Sequence, residues 1–192
     1  MTFLIANLKR WFLILALVLA SGIDAGWPAV AQPQSSPEYQ EYEVKAAFLY
    51  NFAKFVEWPA GSFKDAQAPL LIGILGKDPF GEAFDALKDK TIEGRRLLIK
   101  RFVKAEDLEK CHILFISAAE KNDVSRVLKI TTAWNVLTVG DTKGLAESGV
   151  VINFILIKNK IRFEINVDAA RRAGLKISSQ LLKLAKIHKE NS

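Results

Sequence analysis

A short, uninterrupted apolar segment followed by a glycine turn and a helix signal limits the folds open to this chain more than any other feature. Leu70–Leu75 reads LLIGIL and contains no polar residue that would face water. Such a run predicts a strand covered on both faces, as in a parallel sheet. Asp78 is a good N-cap and Pro79 suits a first helical position, so a short helix is expected over 80–87.

The alternation of strand and helix signals continues along the chain. Further strands are predicted at 96–103, 112–116 and 135–139, with a helix from the Ser117 capping box to about residue 130. Two later runs, 150–157 and 161–167, are separated by three residues, which predicts a hairpin. We therefore predict an α/β fold, a single-domain three-layer sandwich. Its mixed sheet has a parallel core plus a C-terminal antiparallel hairpin and is flanked by helices on both faces.

The longest helix pattern covers residues 41–58 and is ended by Pro59, because the residue before a proline avoids helical geometry. Apolar residues recur there at three- and four-residue steps, which indicates one buried face. A polar amide on that face must find partners, either as a structural tie to a strand end or loop or as a ligand contact. Aromatic residues at this spacing indicate core more often than a pocket. The polar amide is Asn51, and the aromatic residues are Phe48, Phe52 and Trp58.

Residues 1–31 have the features of a secretory signal peptide. Lys9 and Arg10 precede an apolar run over 11–20, and an A-x-A cleavage pattern ends at Ala31. An uncleaved membrane anchor is the alternative, but the run is shorter than the ~20 residues a membrane span needs. We expect cleavage near Ala31 and export.

Cleavage would leave 192 − 31 = 161 residues. Residues 32–38 are predicted to be a flexible N-terminus, and 39–189 form one domain with no dividing linker. The leader carries a net charge of +1, so the charge of +6 falls to +5. Export argues against a nucleic-acid partner. The basic balance fits either an anionic surface or an acidic patch on a partner protein, or simply scattered solubilising lysines.

Residue patterns that would support catalysis or metal binding are scarce. The two histidines, His112 and His188, form no H-x-x-x-H motif, and no G-x-S-x-G elbow occurs. Cys111 is adjacent to His112 in a predicted strand, so the two side chains point to opposite faces. We predict no catalytic residue, no metal and no cofactor. The single cysteine is expected to be a buried inert thiol or, alternatively, an intermolecular thiol.

The last predicted strand has a polar face, and a basic helix is predicted after it. The face is either a salt-bridged structural surface or a patch that recognises a partner. If it recognises a partner, charge reversal at the lysines should weaken binding without unfolding the domain. The partner-binding or regulatory candidates are Arg162, Glu164, Asn166, Lys183 and Lys186.

Five motifs in a fixed order resemble those of the YfiR family of periplasmic proteins, and the match covers essentially all of the chain after the leader. They are YEVKAAFLYNFAKFVEWP at 42–59, IGILGKDPFG at 72–81, CHILFIS at 111–117, LTVGD at 137–141 and FEINVDAARRAGLKISSQLLKLA at 163–185.

The resemblance implies a non-enzymatic periplasmic regulator. It would bind and repress the periplasmic sensory domain of an inner-membrane diguanylate cyclase, and so lower cyclic-di-GMP and biofilm output. It further implies a homodimer and a pocket for a small aromatic ligand. The segments that would carry the regulatory behaviour are residues 163–166 and 175–184. Relatives that respond to redox use cysteine pairs, so only a Cys111–Cys111 dimer is open to this chain. The alternative from another class is a periplasmic small-molecule-binding or sensor-accessory protein without a cyclase partner.

Overall fold

The computed structural model describes residues 36–87 and 89–190, so the predicted leader lies outside the described residues. The first element is helix α1, Pro37–Phe55. It begins where the Ser36 hydroxyl accepts a hydrogen bond from Tyr39 N, with proline in the first turn. It ends at Val56, whose backbone is extended, three residues before Pro59.

The buried face of α1 is rotated relative to the predicted one. Lys45, Ala46, Leu49, Phe52 and Ala53 are buried. The expected burial of Asn51 is wrong, since this residue is exposed and its Nδ2 donates to Ala47 O at 2.9 Å within the same helix. A shift of one residue turns a helix by about 100°, which is enough to exchange the buried positions.

The strands follow in the order β1 Val56–Glu57, β2 Leu70–Leu75, β3 Thr91–Ile92, β4 Arg95–Phe102, β5 Ile113–Ile116, β6 Leu137–Gly140, β7 Ile152–Ile157, β8 Lys160–Asn166, β9 Lys176–Ile177 and β10 Lys186–His188. The remaining α-helices are α2 Val124–Thr131, α3 Val167–Arg172 and α4 Ser179–Leu184. Three 3₁₀ helices cover Gly81–Leu87, Ala105–Asp107 and Ala118–Asp123.

Within the described residues, eight strands form one mixed sheet in the order β10-β8-β7-β6-β5-β2-β4-β3. The centre, β7-β6-β5-β2-β4, is parallel, and β7 with β8 forms the predicted antiparallel hairpin. Lys158 and Asn159 both have positive φ, as a two-residue type I′ turn requires. Strands β1 and β9 pair separately as an antiparallel ribbon.

Helices cover both faces of the large sheet, which confirms the predicted α/β sandwich. On one face, α1 and the first 3₁₀ helix bury Phe52, Phe80 and Phe115 in the larger core. On the other face, α2 contributes Val127 to a second core with Leu114. The continuous apolar strands are explained by this arrangement, since both of their faces are covered.

Two helix predictions are wrong. Ser117 makes no side-chain cap, because its backbone carbonyl takes the Glu120 N–H at 2.9 Å, and a 3₁₀ segment precedes α2. The last helix stops at Leu184, where Ala185 becomes extended. The chain then pairs in parallel with β8 as strand β10, because the edge of β8 offers backbone groups that need partners. No helix in the described part of the chain is long and apolar enough to cross a membrane.

Candidate functional site

The polar face of β8 is covered at its C-terminal end. Phe163 and Ile165 face the larger core, and Glu164 and Asn166 face the opposite side, as the alternation predicts. Of the three predicted partner-binding residues on this strand, only Arg162 is exposed. Asn166 is fully buried, so it cannot touch a partner directly in this conformation.

Both polar atoms of the Asn166 side-chain amide form hydrogen bonds. Its Oδ1 accepts from Ala169 N at 2.8 Å and caps α3. Its Nδ2 donates to Ala146 O at 2.8 Å and to Glu190 Oε1 at 2.9 Å. Asn166 therefore joins the hairpin, the loop after β6 and the end of the chain.

Asn166, Asp168, Arg172 and Glu190 contact one another, and we call them the C-terminal cluster. The Glu190 carboxylate lies at its centre. Arg172 donates to it with both terminal nitrogens, Nη1 to Oε2 and Nη2 to Oε1, each at 2.6 Å. The Glu190 backbone N also donates to Asp168 Oδ2 at 3.3 Å. The hydrogen bonds from Arg172 and Asn166 hold the pKa of Glu190 at about 2, so it stays ionised at any physiological pH.

Glu164 and Lys186 lie together beside a groove of about 380 Å³ between the loop after β6 and the hairpin. Glu164 accepts from Asn153 Nδ2 at 3.2 Å, and Lys186 Nζ lies 3.5 Å from its Oε2. Lys186 belongs to β10 and not to a helix, so its predicted position on the last helix is wrong. Lys183 is exposed on α4. The structure therefore brings Glu164 and Lys186 into contact, whereas Arg162 lies on the exposed part of β8 and Lys183 on α4.

A buried ion pair ties α1 to the end of β6. Lys45 Nζ lies 2.7 Å from Asp141 Oδ2 and 2.6 Å from Glu41 Oε1, and the Lys45 side chain is only 5% exposed. Tyr42 Oη also donates to Asp141 Oδ2 at 2.8 Å, and burial together with that carboxylate raises the pKa of Tyr42. Sequence reasoning did not identify this pair, and the available signal was Asp141 close after a predicted strand.

Phe48, Phe52 and Trp58 do not line one common pocket. Phe48 and Phe52 pack against Phe154 and Phe163 with ring centroids 5.0–5.9 Å apart, which makes them core. Trp58 instead lines a separate cavity of about 460 Å³ at the end of α1.

The cavity beside Trp58 combines aromatic and basic side chains. The Arg95 guanidinium lies 4.0 Å from the Phe63 ring centroid, and Phe63 stacks on His112 at 4.1 Å. Trp58 Nε1 is buried without a hydrogen-bond partner. Asn51 does not line this cavity.

Cys111 lies in the second core and is 1% exposed. Burial raises the pKa of its thiol to about 12. The buried inert thiol is therefore the alternative that the structure supports, and an intermolecular disulfide would require the strand to open. Among the described residues, no three His, Cys, Asp or Glu side chains lie together as a metal site would need.

The sequence profile of the YfiR/HmsC-like family matches residues 42–186, about three quarters of the chain. The chain belongs to the YfiR/HmsC-like family. YfiR-like proteins are periplasmic, and they are regulators rather than enzymes. No protein of curated function matches the sequence.

The fold of this YfiR-like chain also resembles a crystal structure titled as a conserved domain protein from Vibrio cholerae O1 biovar eltor strain N16961. The TM-score is 0.52 at 12% sequence identity, and the match covers 78% of this chain and 60% of the other. At that identity the likeness shows the fold alone.

Proposed function

We propose that this YfiR-like protein is an exported repressor. It binds the periplasmic sensory domain of an inner-membrane signalling protein, a diguanylate cyclase that controls cyclic-di-GMP and biofilm. The observation that carries the proposal is the family match over nearly the whole described domain. Its action requires no chemistry, only a difference in affinity between two states of the partner. Shifting a two-state receptor from 1:99 to 99:1 takes about 5.5 kcal/mol of differential affinity.

The region around α4 and β10 supports such binding. We name it the C-terminal surface and define it by Lys183, Leu184, Lys186, Ile187 and Lys189. Leu184 is 69% exposed and Ile187 39% exposed, and the three lysines are exposed as well. In β10, Lys186 lies on the side of Glu164 and Ile187 on the side of Ile165, so this surface wraps around the edge of the sheet. Exposed aliphatic side chains between cations suit a partner surface that is acidic at its rim and apolar at its centre. Arg162 is a further contact candidate on the outer part of β8.

The test starts with the mature protein, residues 32–192, used to capture partners from solubilised inner membranes, with mass spectrometry as the readout. Recovery of a membrane protein with a cytoplasmic cyclase domain is the expected result. Recovery of a kinase or transporter would retain the regulator class and replace the cyclase. A folded protein that captures no membrane partner would contradict the proposal.

Contacts are then tested with Lys183→Glu combined with Lys186→Gln. Neutralisation is preferred at Lys186 because a glutamate there would face Glu164. We expect about tenfold weaker binding, the effect of losing rim charges worth about 1.4 kcal/mol. The matched control is Arg96→Glu with Lys104→Gln, which makes one charge reversal and one neutralisation at exposed residues near the opposite edge of the sheet. Equal affinity of both folded variants would remove the C-terminal surface as the contact region.

A small-molecule-binding role has one observation in its favour, the unpartnered Nε1 of Trp58 beside the 460 Å³ cavity. Tryptophan fluorescence during a screen of small aromatic compounds would test it. A Phe63→Ala variant should lose any such response, since Phe63 forms one wall of that cavity.

A further inference from the structure

The C-terminal cluster has the donor set of a carboxylate-binding site. Three hydrogen-bond donors converge on one carboxylate group, two from Arg172 and one from the fully buried Asn166. Two of the three reach the same oxygen, Glu190 Oε1. A planar guanidinium matches a carboxylate with two parallel bonds, and such pairs combine strength with geometric selectivity. In this structure the occupant is a side chain from the end of the chain itself.

A cavity lies beside the Arg172 donor. Its volume is about 180 Å³, and Arg172 forms part of its wall. The rest of the lining is mainly aliphatic, with hydroxyl groups between: Leu128, Val136, Val151, Ala169 and Ala173, with Thr131, Thr132, Thr138 and Ser148. The Thr138 hydroxyl accepts from Val151 N and keeps a proton that it can donate. The space therefore suits a short aliphatic body attached to a carboxylate.

Glu190 is held by polar contacts on a short and exposed segment. Strand β10 is three residues long and lies at the edge of the sheet, and two of its residues are exposed. Among the described residues, the only ion pair between β10 and β8 joins Lys186 Nζ to Glu164 Oε2, at 3.5 Å. Few apolar contacts hold this segment, so its local opening costs less free energy than opening the core strands.

Exchange of the carboxylate is favoured over simple release. If Glu190 left without replacement, an N–H of buried Asn166 would lose its acceptor, and an unpaired buried donor is costly. A second carboxylate at the same place restores all three hydrogen bonds. Glu190 therefore leaves the site readily only when another carboxylate takes its place.

We propose that Arg172 and Asn166 form a binding site for a small aliphatic carboxylate, that Glu190 is its internal competitor, and that the incoming acid frees β10 and so disturbs the C-terminal surface. The binding site stands on the contacts above, whereas its effect on a partner rests on the proposed function. The cavity has the volume of roughly six water molecules at about 30 Å³ each, which fits an acid of about six non-hydrogen atoms. Butyrate has that size, and butyramide is its uncharged counterpart.

The first experiment titrates butyrate into the full mature protein by calorimetry, with butyramide as the matched probe. Glu190→Gln should bind butyrate about tenfold more tightly than the unchanged protein, because the competing carboxylate is gone and the site is open more of the time. Arg172→Gln should lose binding. Arg171→Gln is the control, since Arg171 is the adjacent, mostly exposed arginine and pairs only with Asp168 at 3.3 Å among the described residues.

Hydrogen exchange tests the coupling to the strand. Butyrate should lower the protection of the Lys186–His188 amides and leave β5 unchanged. Three results would overturn the proposal: equal binding of butyrate and butyramide, binding that survives Arg172→Gln, or no binding to either the unchanged protein or Glu190→Gln at about 10 mM probe.

Binding with unchanged protection of β10 would overturn the release step. None of these measurements involves a membrane partner. Their failure is therefore separate from a failure of partner capture, which would contradict the proposed function instead.

Discussion

Replacing Asp141 with asparagine should destabilise the domain more than any exposed charge change. The substitution keeps the shape and leaves an oxygen for the Tyr42 hydroxyl, but it removes the charge 2.7 Å from Lys45 Nζ. Lys45 would keep only Glu41, whose side chain is 31% exposed. Breaking a buried ion pair costs about 3–5 kcal/mol, and the remaining Glu41 partner reduces this to about 2–3 kcal/mol.

Urea denaturation followed by circular dichroism measures this loss, which corresponds to a fall in melting temperature of roughly 5–10 °C for a domain of this size. Glu109→Gln is the matched control. It removes a charge from the exposed Lys100 pair, where side-chain exposures are 40% and 65%. The control should cost less than about 0.5 kcal/mol.

A double variant separates the ion pair from the packing. Lys45→Met with Asp141→Asn removes both charges, keeps an acceptor for the Tyr42 hydroxyl, and should recover most of the stability lost in Asp141→Asn alone, because no buried charge is left unpaired. If Asp141→Asn costs no more than Glu109→Gln, the argument that this pair fastens α1 to the sheet is refuted.

Two further predictions concern buried groups in the core. Cys111 should react with Ellman's reagent only at the rate of unfolding, because its thiol is 1% exposed and its pKa is raised to about 12; rapid labelling of the folded protein would contradict its burial. Burial lowers the pKa of His112, whose Nδ1 accepts from Leu71 N, so the unfolded chain binds more protons and stability should fall as pH drops below about 6.5. A His112→Asn variant, whose Oδ1 can replace that acceptor, should lack this part of the pH dependence in urea melts.

Local sequence patterns predicted the fold class because their information is local. The apolar run at Leu70–Leu75, the Asp78 turn and the alternation of Phe163 and Ile165 each reflect a short stretch of backbone and its own burial. Asp78 Oδ1 accepts from Phe80 N at 2.8 Å, but the helix that follows is 3₁₀ and begins only at Gly81, so Asp78 closes a turn and its predicted N-cap role is wrong. The hairpin followed from two strand runs close in sequence.

Site residues were predicted less well, because contacts between distant segments decide them. Glu164, Asn166 and Lys186 were identified by type, but the partners that explain them, Asn153 and Glu190, were not. Asn51 was misplaced by a rotation of the helix. Nothing local shows which side of a helix will meet the sheet when aromatic residues occur all round it.

The sequence by itself determined the six longer strands, the first helix, the covered parallel core and the membership of the YfiR/HmsC-like family, since each depends on residue order alone. The tertiary structure decided which charges are buried and which surface stays open. Lys45 is buried because Asp141 approaches it from 96 residues away, and β10 is a strand because the edge of β8 leaves backbone groups unpaired. Burial and pairing are properties of the packed chain, and they come into existence only when distant segments meet.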